Sequence, residues 1–201
     1  MQLPRSPDRF LAALPDAVSA LAFACLWAFP LAFGESGVRN GMLVMLVEFI
    51  LIHSTAFLGA MAFAESASRT RRVAMLAGFA LLYLGFIAAF SLAFDAWWPF
   101  LAFGWLLLGK LRIVFHARAD SASGGVQAIW ALSALAYLGA VFATVFLPLP
   151  RLGLAEAVLP QLRLPGSGLW VEQPHRVVAA GMLYFGLLAW IKWRGVPRRT
   201  P

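Results

Sequence analysis

Apolar residues fall into six long runs, at 17–33, 40–64, 73–94, 99–115, 126–147 and 175–193. A helix needs about 20 mainly apolar residues to cross the hydrocarbon core of a bilayer, and each run meets or approaches that length. The pattern predicts an all-α integral membrane protein, a six-transmembrane-helix bundle forming one domain over residues 1–201. Pro30 falls near the end of the first run, and Pro148 and Pro150 close the fifth, where a residue without an N–H suits a helix stop. Most connections are short, so sequential helices are expected to pack as antiparallel hairpins. The exception is the segment 148–174. Leu152, Leu154, Ala155, Val158, Leu159 and Leu162 predict a short interfacial helix there, stopped by Pro160. Leu164-Pro165-Gly166-Ser167-Gly168 reads as a turn, and so does Gly124-Gly125 with its flanking serines.

Polar positions between the runs orient the bundle. Twelve basic residues fall on one side: Arg5 and Arg9; Arg69, Arg71 and Arg72; Lys110, Arg112 and Arg118; and Lys192, Arg194, Arg198 and Arg199. Only Arg39, Arg151, Arg163 and Arg176 fall on the other. The positive-inside rule places the richer side, and with it both termini, in the cytoplasm. Trp97, Trp98 and Trp170 then sit at the outer interface and Trp190 and Trp193 at the inner one, where an apolar ring with a polar N–H belongs.

Composition agrees. Hydrophobic residues make up 62% and charged residues 12%, with a mean hydropathy of +0.80; soluble proteins carry about 25% charged residues. Lipid must therefore be the solvent for much of the chain. The net charge of +7 is spread between the apolar runs and forms no compact basic face, which argues against nucleic acid as a partner. Short loops and high Ala and Arg content point to a bacterial inner membrane. The single cysteine, Cys25, excludes an intramolecular disulfide and a CxxC motif. The bulky Phe23 before it makes a poor lipoprotein signal, and no clean cleavage site follows the first run, so that run is read as a retained helix.

Candidate chemistry concentrates in two places. The second run contains Glu48 and His53 deep inside it, and an intramembrane ionisable residue is costly enough to suggest function. At about 100° per residue, Gly41, Glu48, Thr55, Gly59 and Ala62 share one small, polar stripe. His53 lies about 140° around from Glu48 and roughly 7.5 Å further along, so each needs a partner from elsewhere. Interhelical hydrogen bonding accounts for both as readily as ion handling does. The second place is Trp170-Val171-Glu172-Gln173-Pro174-His175-Arg176 at the outer end of the last run. Pro174 suits a first helical turn and Glu172 the positive end of the helix dipole. As ligand candidates at an outer mouth, Glu172, His175 and Arg176 are joined by Arg39 and Glu35, but their spacing matches no metal motif.

Three histidines invite a haem, but His53 is near the midplane, His116 at the cytoplasmic end and His175 at the outer end. Those depths argue against bis-histidine haem, and no CxxCH is present; the pattern names no other cofactor. P-loop, dinucleotide, GxSxG and HExxH signatures are absent. Three classes of function remain: a bundle that handles or senses a proton, ion or small solute, with an aqueous path to Glu48 and homo-oligomerisation to make room for it; a non-catalytic subunit or assembly factor of a larger membrane complex; and an intramembrane enzyme or metal site.

Overall fold

The computed structural model describes residues 6–62, 68–116 and 123–194. Arg5, Arg118, Arg198 and Arg199 of the charge pattern, and Ser121 of the proposed turn, lie outside them. The chain is all-helical, 79% helix, with no strand among the described residues. Its elements are α1 (Ser6–Ala28), α2 (Gly37–Ala62), α3 (Arg69–Phe94), α4 (Trp98–His116), α5 (Ser123–Phe146), α6 (Leu159–Leu162), α7 (Leu169–Glu172) and α8 (Pro174–Arg194). Four stretches within them are long and apolar enough to cross a membrane: Arg9–Ala28, Gly37–Thr55, Val73–Phe94 and Pro174–Arg194. The described apolar parts of α4 and α5 are shorter, Trp98–Leu108 and Ala131–Phe146.

Each apolar run coincides with one long helix, but several ends move. α1 begins at Ser6, well before the run at 17, and carries Pro15 inside it. Asp16, which interrupts the apolar pattern, is buried, and its Oδ2 lies 2.5 Å from Lys192 Nζ of α8. A paired carboxylate no longer marks the end of a span. Ser123, Gly124 and Gly125 open α5 rather than forming a turn. Gly is a poor helix former, yet backbone that is to enter an apolar medium must satisfy its own hydrogen bonds, and helix does so. Pro160 sits in the first turn of α6 instead of stopping it, at a position where its missing N–H costs nothing. The 148–173 segment is also no single surface helix: Leu154 and Leu162 are buried, while Leu152 and Ala155 are exposed. The predicted turn at 164–168 is present, with Gly166 and Gly168 at φ +85° and +107°.

The chain divides into two compact units, Met1–Met45 with Ala131–Pro201, and Leu46–Trp130. In the first, α1 and α8 form the main helix pair. The Phe23 ring is stacked on Phe185, with centroids 5.7 Å apart. A Cβ on Gly181 would come within 2.5 Å of that ring, and one on Gly41 within 3.3 Å. Glycine at both positions is what lets the ring seat. On α5, Ala136, Ala140 and Thr144 form a buried small-residue face, as their spacing predicts. Between them Tyr137, also buried, donates its hydroxyl to the Met45 carbonyl of α2 at 2.8 Å. The outer loop is tied to the end of α1: Trp27 Nε1 donates to the Pro150 carbonyl, and the Gly153 amide to the Trp27 carbonyl. A side chain at Gly153 would overlap the Ala28 carbonyl, so only glycine permits this approach.

In the second unit, α3 and α4 form a hairpin. Ser68 caps the start of α3, its hydroxyl accepting from the Arg71 amide. Asp95 closes it in a left-handed conformation (φ 49°), with Asp95 N–H donating to the Leu92 carbonyl and Ala96 N–H to the Ser91 carbonyl. This is a Schellman stop, with aspartate where glycine is usual. The buried side of α3 is the stripe Leu76, Ala80, Tyr83, Ile87, Ser91 and Phe94, three or four residues apart. The Tyr83 and Phe103 rings meet across the hairpin at 6.4 Å.

Candidate functional site

α2 runs unbroken from Gly37 to Ala62, and its 1.5 Å rise per residue places Glu48 about 16 Å from its start, near the middle of a bilayer-sized length. The Glu48 side chain is half-buried and engaged in a polar or electrostatic contact. Thr55 lies two turns on along the same face and is also half-buried. His53 Nδ1 lies 2.9 Å from the Phe49 carbonyl of its own helix. A carbonyl only accepts, so in this arrangement Nδ1 carries the proton and Nε2 the lone pair. The Phe49 and His53 ring centroids are 4.0 Å apart, which holds the imidazole along the helix. Next to it the Ser54 hydroxyl, fully buried, donates to the Leu51 carbonyl. His53 and Ser54 thus bond within α2 itself.

At the outer cluster, Arg176 is the organising residue. Its Nε donates to Gln173 Oε1 at 2.6 Å, and its Nη1 to the Thr144 and Val145 carbonyls at 2.6 and 2.7 Å. Those carbonyls belong to the last turn of α5, where a helix has no amides left to pair them. A guanidinium there also meets the negative end of the helix dipole. His175 is buried beside it in the first turn of α8, with the Arg176 and Arg151 charges nearby. Arg151 is itself paired with Glu156 at 2.6 Å. Glu172 is exposed at the end of α7, and Glu35 is exposed before α2. Arg39, in the first turn of α2, has a buried Nε with no hydrogen-bond acceptor among the described residues. The structure therefore brings together His175, Arg176 and Arg151, and leaves Glu172 and Glu35 facing outward. Among the described residues no three His, Cys, Asp or Glu side chains gather closely enough to hold a metal ion.

Several features of the packing were not anticipated from sequence. The Asp16–Lys192 pair could have been read from unlike charges near the ends of the first and last runs. The Tyr137–Met45 bond and the buried Ser91 hydroxyl, whose Oγ has no hydrogen-bond partner among the described residues, leave no such signal. A tyrosine or serine in an apolar run is common, and its partner depends on the neighbouring helix. The chain matches no family model, no curated protein and no solved structure.

Proposed function

We propose that the chain is a six-span bundle of a bacterial inner membrane, with both termini in the cytoplasm, that handles or senses a proton, ion or small solute through Glu48, with His53 and Thr55 close by on α2. The observation that carries this reading is Glu48 itself: a half-buried, engaged carboxyl near the middle of a continuous 26-residue apolar helix. A carboxyl at that depth carries a desolvation cost that packing alone does not require. The Nδ1–H of His53 is committed to its own helix, which leaves Nε2 as the atom able to receive a proton. The test is proton flux into pyranine-loaded proteoliposomes under an imposed pH gradient. Wild-type flux above that of empty liposomes, lost in a well-folded Glu48→Gln variant, is the expected result. Equal flux in both proteins would reduce Glu48 to a packing residue.

A second reading, a non-catalytic subunit or assembly factor of a larger membrane complex, is favoured by the lateral surface of the helices. Only 22% of the spanning stretch of α3 and 28% of that of α1 is buried within the chain. Lipid or partner helices cover the rest. Co-purification of a stoichiometric partner from native membranes in mild detergent, together with no flux in the wild type, selects this reading over the first.

A further inference from the structure

At the end of the α1–α8 pair that holds the start of α1 and the end of α8, the two helices part to leave a cleft of about 340 Å³. Its floor is Ala13, Ala17 and Ala189, and its walls include Phe10, Trp190 and Trp193. The alanines make the depth, since a larger side chain at any of them would fill it. Almost all of its surface is apolar, so it offers a soluble polar ligand nothing to bond. It is an open groove rather than an enclosed cavity, and the exposed Leu11, Leu14, Val18 and Leu21 extend the apolar surface along α1.

The rim is cationic. The Arg194 guanidinium carbon sits 4.8 Å from the centroid of Trp190, so one ring is both a wall of the cleft and the seat of a cation. Phe10 and Trp193 meet edge-on at 6.0 Å. Among the described residues Arg9 makes a long contact, 3.4 Å from its Nη1 to the Arg194 carbonyl, and its buried Nε finds no acceptor. Lys192 is taken by Asp16, but among the described side chains no carboxylate pairs with Arg9 or Arg194. An open apolar slot, beside two guanidiniums with donors to spare, has the chemistry of one ligand class.

We infer that this groove binds an anionic phospholipid, one acyl chain lying between α1 and α8 and the phosphate held by Arg9 and Arg194. The site does not depend on ion handling by Glu48. The leaflet that supplies the lipid is the cytoplasmic one if the proposed orientation holds.

The test is native mass spectrometry of the full chain in mild non-ionic detergent, titrated with phosphatidylglycerol or phosphatidylcholine of identical acyl chains. Wild type is expected to retain phosphatidylglycerol in preference, and each guanidinium removed should weaken that preference roughly fivefold. The Arg9→Gln/Arg194→Gln double variant should then hold both lipids alike. Ala17→Leu, which fills the floor and leaves every charge in place, should lose phosphatidylglycerol as well; it keeps the inference testable if the double variant folds poorly. Equal retention of both lipids by wild type overturns the proposal, as does undiminished binding to Ala17→Leu. Displacement of the lipid by millimolar inorganic phosphate would make the site one for free phosphate. A protein dimer abolished by Ala17→Leu would give the groove to a second copy of the chain.

Discussion

Gly181 illustrates how a single missing methyl group decides packing. A Cβ on Gly181 would lie 2.5 Å from two atoms of the Phe23 ring and 2.7 Å from a third, and the ring is held from another side by Phe185. Aromatic rings move only by leaving a staggered rotamer or displacing a neighbour. Gly181→Ala should therefore destabilise the protein by about 1–3 kcal/mol, the usual cost of overpacking a filled interior. Gly78, where a Cβ would meet nothing within 4 Å, is the control: Gly78→Ala should be neutral or slightly stabilising. Unfolding midpoints in mixed detergent compare the two, and equal midpoints would mean that Phe23 swings aside at little cost. The sequence makes Ala136, Ala140 and Thr144 conspicuous because they recur every fourth residue, and all three are buried. Gly41 is marked only by its place on the stripe with Glu48, and Gly181 carries no mark at all. What each must accommodate is an aromatic ring on another helix, and that is fixed only by tertiary contact. Asp16 misleads for the same reason: a lone acid ends an apolar run on paper, whereas beside Lys192 it belongs inside the helix.

At the scale of elements, the end of α5 and the start of α8 are joined by one cation. Backbone carbonyls at a helix end have no intrahelical partner, and an apolar surround offers no water in exchange. Arg176 supplies two hydrogen bonds and a charge there, and is itself held by Gln173. Arg176→Gln should cost roughly 1–3 kcal/mol, the range for hydrogen bonds to charged groups. Amide exchange should quicken through 143–147, the last turn of α5 and the residue after it, while Glu172→Gln, altering an exposed side chain, should leave it unchanged. Unaltered exchange in Arg176→Gln would show that the carbonyls find other donors and would return Arg176 to the outer mouth as a free ligand group. Helix positions were legible in the sequence because apolar run length reports them directly. Helix faces were not. α3 is apolar all round, so exposed Leu81, Leu82 and Phe86 look no different on paper from buried Leu76 and Ile87. A water-soluble helix would have marked the two sides with polarity. The candidate site suffers likewise: the depth of Glu48 follows from counting residues, but what it touches follows from packing.

For the whole molecule, α1 and α8 set a parity. Arg9 reaches the Arg194 carbonyl, and Asp16 pairs with Lys192, so the start of α1 lies beside the end of α8. At the other end of the pair, Trp27 and Gly153 tie the close of α1 to the loop leading to α8. The two helices are antiparallel and both are long enough to span. Where both cross the membrane, Ser6 and Arg194 lie on one side, and the number of crossings is even. Six satisfies this, and so does four, with α1, α2, α3 and α8 crossing and α4 and α5 staying on the outer side. The two arrangements differ in one place, the connection 117–122 between α4 and α5. Helices of 19 and 24 residues reach about 28 and 36 Å, close to the hydrocarbon thickness of about 30 Å. Lys110, Arg112 and Arg118 also cluster towards that connection, as a cytoplasmic turn would have them. In a Cys25→Ala background, Ser121→Cys should accordingly resist a membrane-impermeant maleimide applied to intact cells and react once the membrane is permeabilised. Arg163→Cys, in the loop before α8, should react from outside in either case and controls for access. Labelling of Ser121→Cys in intact cells would reduce the bundle to four spans, yet keep Glu48 in the middle of α2, because α2 crosses in both.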